Sequence, residues 1–367
     1  MITRTKINDI RAQLNAPFSI PDFLDKPYYP SLNGWRAIAV IIVICEHLKN
    51  NIGHSSVYSK IANIFIFGRL GVDIFFVLSG FLITSILIKE KIRTGKINIS
   101  KFFIRRSLRI FPVLYLYLVC CMLLNYFFQL NIAYLSFIWP LLYVSNIIYT
   151  DPWLAHTWSL SIEEQFYLIW PLVLRASKRP ILLYLILITL LPALKILIYL
   201  NPSAFDIYIN HIYIPTTALL TGAVASIILF KKISFNGFLK ESLFILSMLL
   251  TLFIFYLQSN GLFGILILPF GTVITNLSIA YCIIYSLKSE KEVFIKFLNH
   301  PIIVKIGIMS YSIYIWQQLF LQTSESYRNG QSFIFFPVNL IYIVCISYLS
   351  YNYYERYFLI LKNKYTY

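Results

Sequence analysis

Read as apolar and polar positions alone, the chain falls into eleven apolar segments: 34–52, 70–88, 109–128, 132–149, 158–174, 180–199, 212–230, 241–258, 262–287, 302–322 and 333–355. Most approach the roughly 20 residues that an α-helix needs to cross hydrocarbon at about 1.5 Å of rise per residue. A segment in lipid must satisfy its backbone N–H and C=O groups internally, and a helix does so without help from neighbours. The pattern predicts an all-α chain, a polytopic helical bundle integral to a membrane.

Charge then decides which segments cross. Residues 89–109 carry Lys89, Lys91, Arg93, Lys96, Lys101, Arg105, Arg106 and Arg109 against a single acid, Glu90, which marks this stretch as cytoplasmic. Further basic groups follow at Arg175, Lys178 and Arg179, at Lys231, Lys232 and Lys240, at Lys288, Lys291, Lys296 and Lys305, and at Arg356, Lys362 and Lys364. All of them share one side only if one segment between 109 and 175 fails to cross. The choice falls on 132–149, which holds Trp139-Pro140 and the polar Ser145 and Asn146. Broken backbone is tolerated at membrane depth where protein or a watery cavity covers it. The expectation is about ten transmembrane helices plus one re-entrant or partial segment, with both termini cytoplasmic.

On this reading residues 1–32 form a cytoplasmic leader, 33–358 a membrane domain and 359–367 a cytoplasmic tail. The leader lacks a cleavable signal, and Pro17, Pro21, Pro27 and Pro30 keep it from forming one long helix, though Ile7 to Leu14 suits a short amphipathic one. The stretches 201–211, 259–261 and 323–332 on the opposite face are short, so no fused extracytoplasmic domain is expected. No repeat is visible.

Composition sharpens the class without changing it. A hydrophobic content of 59% and a mean hydropathy of +0.72 exclude an ordinary soluble protein. The net charge of +16 invites a nucleic-acid reading, but the cations lie in clusters between apolar runs, so topology explains them and no nucleic-acid partner is expected. The five cysteines sit within apolar runs at spacings that fit no metal, and no metal site or bound cofactor is expected.

Candidate chemistry starts in the first segment, Asn33-Gly-Trp-Arg36 through Cys45-Glu46-His47. The uncharged run Ala37 to Cys45 is nine residues, so a spanning helix cannot exclude Arg36 or His47. Eleven positions of separation give about 16 Å of rise and about 20° of rotation, one face at two depths. An anchor helix with a snorkelling Arg36 and an end-capping His47 is the plain alternative. The second segment places Asp73 one turn into a span; either it pairs with Arg69 at i,i+4, or it, or the neighbouring Glu46, orients the His47 imidazole as a carboxylate does in acyl-transfer sites. Gly71 and Gly80 in that segment suit close helix packing. Arg106 and Arg109, at i,i+3 on the cytoplasmic edge, serve topology and headgroups or hold phosphates. In Trp158-Ser-Leu-Ser-Ile-Glu163-Glu164-Gln-Phe-Tyr167, the residues Ser159, Glu163 and Tyr167 repeat every four positions and form a polar stripe, with Glu164 about 100° away. That stripe is either a packing network or part of a site.

Together these stretches resemble the acyltransferase-3 family of integral membrane O-acyltransferases, of the O-antigen and exopolysaccharide acetylase type. The matching features are Arg36 and His47 with ten residues between them, Gly71-Val-Asp73-Ile-Phe-Phe-Val-Leu-Ser-Gly80-Phe, Arg106-x-x-Arg109 before Ile110-Phe-Pro112, Trp158-Ser159-Leu-x-x-Glu163-x-x-Phe-Tyr167, and Tyr314-Ile-Trp316. Many members carry histidine at the position of Gln317, so a base is excluded there. The resemblance implies transfer of a small acyl group, most often acetyl, from cytoplasmic acyl-CoA as co-substrate to a hydroxyl of a cell-surface or exported carbohydrate. His47, Glu163 and Asp73 are the expected catalytic residues. Arg36, Arg106 and Arg109 are the expected donor contacts, and Ser159, Tyr167 and Trp158 the expected substrate contacts. A bacterial inner membrane is the implied location. Lipopolysaccharide O-antigen, capsule, peptidoglycan or a secreted small molecule would serve as acceptor. A carrier or flippase for a lipid-linked glycan would also need an intramembrane polar cavity and is the rival expectation.

Overall fold

The computed structural model describes residues 16–26, 28–51, 68–148, 150–176, 180–200, 205–231, 240–264, 270–289, 292–321 and 336–366. The expectations for Ile7 to Leu14 and for 323–332 lie outside them. The described residues contain helices and turns and no strand. The main helices are α1 Pro30–Asn51, α2 Gly68–Thr94, α3 Ile99–Phe128, α4 Thr157–Ala176, α5 Pro180–Leu200, α6 Phe205–Phe230, α7 Glu241–Ser259, α8 Thr272–Lys288, α9 Pro301–Ile308, α10 Ser310–Trp316, α11 Val338–Leu349 and α12 Arg356–Asn363.

Four helical runs among the described residues are long and apolar enough to cross a membrane: Pro30–Leu48, Arg69–Thr94, Ile99–Phe128 and Glu241–Gln258. Thr216–Phe230 and Thr272–Lys288 are shorter apolar helices. On α3 the exposed positions include Val119, Leu123, Tyr126 and Phe127, and on α7 Leu246, Leu249, Phe253 and Tyr256. Continuous apolar faces of this kind suit lipid rather than water.

The segment 132–149 has no long helix. It holds a short 3₁₀ turn, Tyr134–Phe137, and one helical turn, Ile138–Leu141, followed by turns. Side chains of α4 hold the broken stretch. The Ser145 N–H donates to Ser161 Oγ at 3.2 Å, and Thr157 Oγ1 bonds Ser145 Oγ at 3.0 Å. Gln165 Nε2 donates to Asn146 Oδ1 at 2.9 Å and to the Tyr143 carbonyl at 2.8 Å. The polar residues that spoil this segment as a span are therefore the ones that satisfy it.

Several boundaries differ from the apolar pattern. The basic stretch 89–109 is mostly helical: α2 runs to Thr94 and α3 begins at Ile99, with Asn98 accepting from the Lys101 N–H at 3.0 Å as its N-cap. Helices continue beyond the apolar core because charged side chains do not disfavour helix outside hydrocarbon. Of the segment 262–287, the 17-residue α8 covers Thr272 onward, residues 265–269 lie outside the described ones, and Gly261 just before the segment has φ 65°. The segment 302–322 is split into α9 and α10 at Met309.

The chain forms two compact units. The first comprises 1–32, 73–97 and 166–300. In it α2 and α6 touch backbone to backbone: a Cβ on Gly80 would lie 1.9 Å from the Leu219 carbonyl oxygen, and one on Gly222 2.0 Å from that of Val77. Nearby, Ser85 and Ser226 share a hydrogen bond of 2.9 Å. The end of the leader packs on the basic helix ends of this unit. Ser19 N–H donates to the Phe230 carbonyl at 2.9 Å, Arg93 pairs with Asp25 at 2.8 Å, and Lys231 Nζ lies 4.4 Å from the centre of the Phe18 ring.

The second unit comprises 33–72, 98–165 and 301–367. A Cβ on Gly71 would meet the Ala39 carbonyl oxygen of α1 at 2.5 Å, and one on Gly307 that of Asn33 at 1.8 Å. Small residues thus let the start of α2 and the Gly307 end of α9 approach α1 closely, as small residues do in membrane interiors.

Candidate active site

In the second unit α1 carries Arg36 and His47 on one face, about 16 Å apart along the axis. Each end of that face meets a different environment. At the His47 end, His47 Nδ1 is buried with no hydrogen-bond partner among the described residues. The fully buried Gln317 approaches it. Neither amide atom of Gln317 reaches hydrogen-bond geometry with any described group.

His156 lies close enough to His47 for the two imidazoles to interact electrostatically. Its ring stands edge-on to Tyr117 at 5.2 Å and tilted to Tyr314 at 5.7 Å; the Ile315 backbone lies close, but neither ring nitrogen reaches full hydrogen-bond geometry with a described residue. The frame around it is satisfied. Tyr314 Oη donates to the His156 carbonyl at 2.9 Å and shares a 2.6 Å bond with Ser159 Oγ, while Tyr117 Oη donates to the Trp153 carbonyl at 2.6 Å. A buried polar atom without a partner costs about 1–3 kcal/mol, so such atoms are rare unless water or a ligand reaches them. Three imidazole nitrogens and one amide in this state mark a site for a polar guest.

At the other end, four guanidinium groups lie within electrostatic reach of one ammonium. Burial, and after it the charges of Arg109, Arg106, Arg36 and Arg105, push the Lys362 ammonium down to about 8. Arg105 Nη1 donates to the Tyr365 carbonyl at 2.9 Å, which ties the end of the chain to α3. Glu355 accepts a short hydrogen bond from Ser312 Oγ and lies within electrostatic reach of Arg109 and Lys362.

Between the two ends lies Tyr311, whose hydroxyl donates to the Ile110 carbonyl at 2.6 Å. Glu355, Glu164, Glu163 and Tyr143 are all within its electrostatic reach. Glu164 in turn interacts with Arg106 and Glu163, and its Oε1 is buried without a partner among the described residues.

Of the residues expected from sequence, Arg36, Arg106 and Arg109 come together. Ser159 joins the frame of the His47 end, and Glu163 lies near Tyr314 and Tyr311. Trp158 is half-buried on α4. Asp73 and Tyr167 are buried and belong to the first unit, where the Tyr167 ring packs against Phe166. His156, Tyr311 and Lys362 were not expected from sequence, and Glu164 and Tyr314 entered only as the carboxylate off the stripe and as part of a motif. His156 stands two residues before the Trp158-Ser159 motif, and Glu164 beside the residue that was chosen. Lys362 had no local signal beyond its place on a short amphipathic helix.

The α1 face thus meets cationic groups at its Arg36 end and buried imidazole nitrogens at its His47 end. Residues 29–352 match the acyltransferase domain family, and the chain belongs to that family. It is an integral membrane protein. It is 31% identical over 370 residues to O-acetyltransferase OatA of Staphylococcus aureus (strain NCTC 8325 / PS 47), covering 89% of this chain and 57% of that one. It is 37% identical over 186 residues to peptidoglycan O-acetyltransferase OatA of Listeria monocytogenes serovar 1/2a, covering 45% of this chain and 28% of that one. A putative O-acetyltransferase, SACOL0978 of S. aureus (strain COL), is 28% identical over 373 residues, with coverage of 89% and 57%. The chain thus spans little more than half the length of the S. aureus relatives. No solved structure matches it.

Proposed function

We propose that this chain is a membrane O-acetyltransferase that takes acetyl from acetyl-CoA on the cytoplasmic side and delivers it to a hydroxyl of a cell-envelope carbohydrate. The observation that carries the reading is the arrangement on α1: a cation cluster at Arg36 and an unpartnered, buried imidazole nitrogen at His47, on one face about 16 Å apart. Acyl-CoA has the same polarity, with phosphates at one end and a thioester at the tip of a long thin arm. Guanidinium groups bind phosphate through charge-assisted bonds. The thioester would then lie toward His47, where the acceptor hydroxyl gives its proton to the imidazole as its oxygen attacks the carbonyl. The C–S bond breaks, and the coenzyme thiolate takes up the proton.

The name of the L. monocytogenes relative, a peptidoglycan O-acetyltransferase, favours peptidoglycan as the acceptor class, ahead of lipopolysaccharide O-antigen. Comparing muropeptide masses from cells with and without the gene tests this. Loss of one acetyl mass increment from the glycan fragments is expected. A glycan that reaches the surface unmodified and depends on the gene would instead point to a carrier.

The sidedness within this proposal is ten spans with residues 95–98 inside and 259–261 outside. It draws on the broken 132–149 segment and on helix in every other apolar segment. The five native thiols are free and must first be replaced. In intact cells an impermeant thiol reagent should then label a cysteine at 260 and miss one at 96. The reverse pattern sinks the topology.

A further inference from the structure

Helix α12 begins after residue 352, where the family match ends, so membership of the family assigns nothing to it. It nevertheless places Lys362 among Arg36, Arg105, Arg106 and Arg109. We propose that α12 is part of the donor site and that Lys362 supplies a fifth cation to the phosphates of the coenzyme. The inference rests on the donor reading given above.

Three features support it. First, the helix is held in place: Arg105 bonds the Tyr365 carbonyl at 2.9 Å just past its end, and Glu355, just before its start, bonds Ser312 of α10. Second, Lys362 is half-buried, and a half-buried ammonium facing four guanidinium groups is repelled by all of them. Burial first, and the four guanidinium charges after it, lower its proton affinity to about 8. Third, Glu355 reaches Arg109 and Lys362, and Glu164 reaches Arg106, but carboxylates on two helices offer point contacts. A cluster of like charge on a partly buried surface raises the local concentration of polyanions, and several phosphates can bridge several cations at once. A nucleotide bearing more than one phosphate group fits this chemistry. The phosphate of an anionic lipid headgroup shares it, and the test must separate the two.

The test is the dissociation constant of coenzyme A for the purified full-length protein in nanodiscs, in parallel for zwitterionic and for anionic lipid. Wild type, Lys362→Gln, Lys362→Ala and Lys362→Arg are compared, with pantetheine as the probe lacking the nucleotide. Lys362→Gln and Lys362→Ala should weaken coenzyme A about tenfold, the usual scale for one charge-assisted contact. Lys362→Arg should restore most of it, and pantetheine binding should not change. The zwitterionic and anionic discs should give the same ratio between variants. Equal coenzyme A affinity in Lys362→Gln and wild type overturns the inference while leaving the donor reading intact. A weakening that Lys362→Arg does not restore, or that pantetheine shows equally, assigns Lys362 to holding the helix and overturns it too. A loss seen only in anionic discs assigns the lysine to lipid. If wild type itself binds no coenzyme A, the donor reading falls and takes this inference with it.

Discussion

Replacing His47 with glutamine should lower acetyl transfer by about 10²–10⁴-fold, the usual worth of a general base, while the protein still inserts and folds. The structural reason for expecting both is the same. His47 Nδ1 has no hydrogen-bond partner among the described residues, the contact that the ring makes with Gln317 is one a glutamine side chain can also make, and glutamine is compatible with the helix. Coenzyme A binding should survive, because the cations lie about 16 Å away along α1. Activity and coenzyme A affinity measured on the same preparation give the answer. If His47→Gln keeps near-native transfer and Glu163→Gln abolishes it, the base sits on α4. His156 makes the experiment sharper, because its two nitrogens are also unpartnered and it is the nearby group that could take over the proton.

The second large effect is expected at the other end. Arg106→Ala and Arg109→Ala should each raise the dissociation constant of coenzyme A about ten- to a hundredfold, since a charge-assisted contact is worth about 1.5–3 kcal/mol. Each arginine also has a carboxylate neighbour, Glu164 for Arg106 and Glu355 for Arg109, so some loss could come from stranding an acid. Pairing Arg106→Ala with Glu164→Gln separates the two causes. If coenzyme A affinity recovers in the pair, Arg106 serves the acid; if it stays low, Arg106 serves the phosphates. Wild-type affinity in a well-folded Arg106→Ala, Arg109→Ala double variant would return both residues to topology alone.

Much of this was legible in the sequence because membrane helices leave strong traces. Nothing but apolar residues fits between Arg36 and Cys45 if the helix is to cross lipid, so the two polar ends stand out by position alone. The broken segment was legible for a related reason: Trp139-Pro140, Ser145 and Asn146 are costly in a simple span. Their partners were not. Nothing local in the sequence tells Ser145 that it will meet Thr157 and Ser161, or Asn146 that it will meet Gln165.

The same limit explains the missed site residues. His156 sits outside the helix whose period was being read, so no stripe included it. Glu163 was preferred to Glu164 because it shares a face with Ser159 and Tyr167, yet the arginine reaches Glu164. Helix period reports which residues share a face, and the neighbour that meets each face is decided by the rest of the chain. Lys362 is the extreme case, since its four cationic neighbours come from α1 and α3, hundreds of positions away in sequence.

The seven-residue α10 has a consequence for how the chain tolerates insertion and deletion. Tyr311 reaches α3, Ser312 reaches Glu355, Tyr314 reaches Ser159 and His156, and Trp316 lies 5.7 Å from Tyr117. Four of the seven positions on this short element thus have their own addressee, and the addressees span both ends of the polar line. Adding one residue at Met309 would turn everything after it by about 100° and misdirect all of these side chains together. Length changes should therefore be absent from 309–316 in natural variants of this chain, while single substitutions there, each severing one link, are the changes that selection can explore.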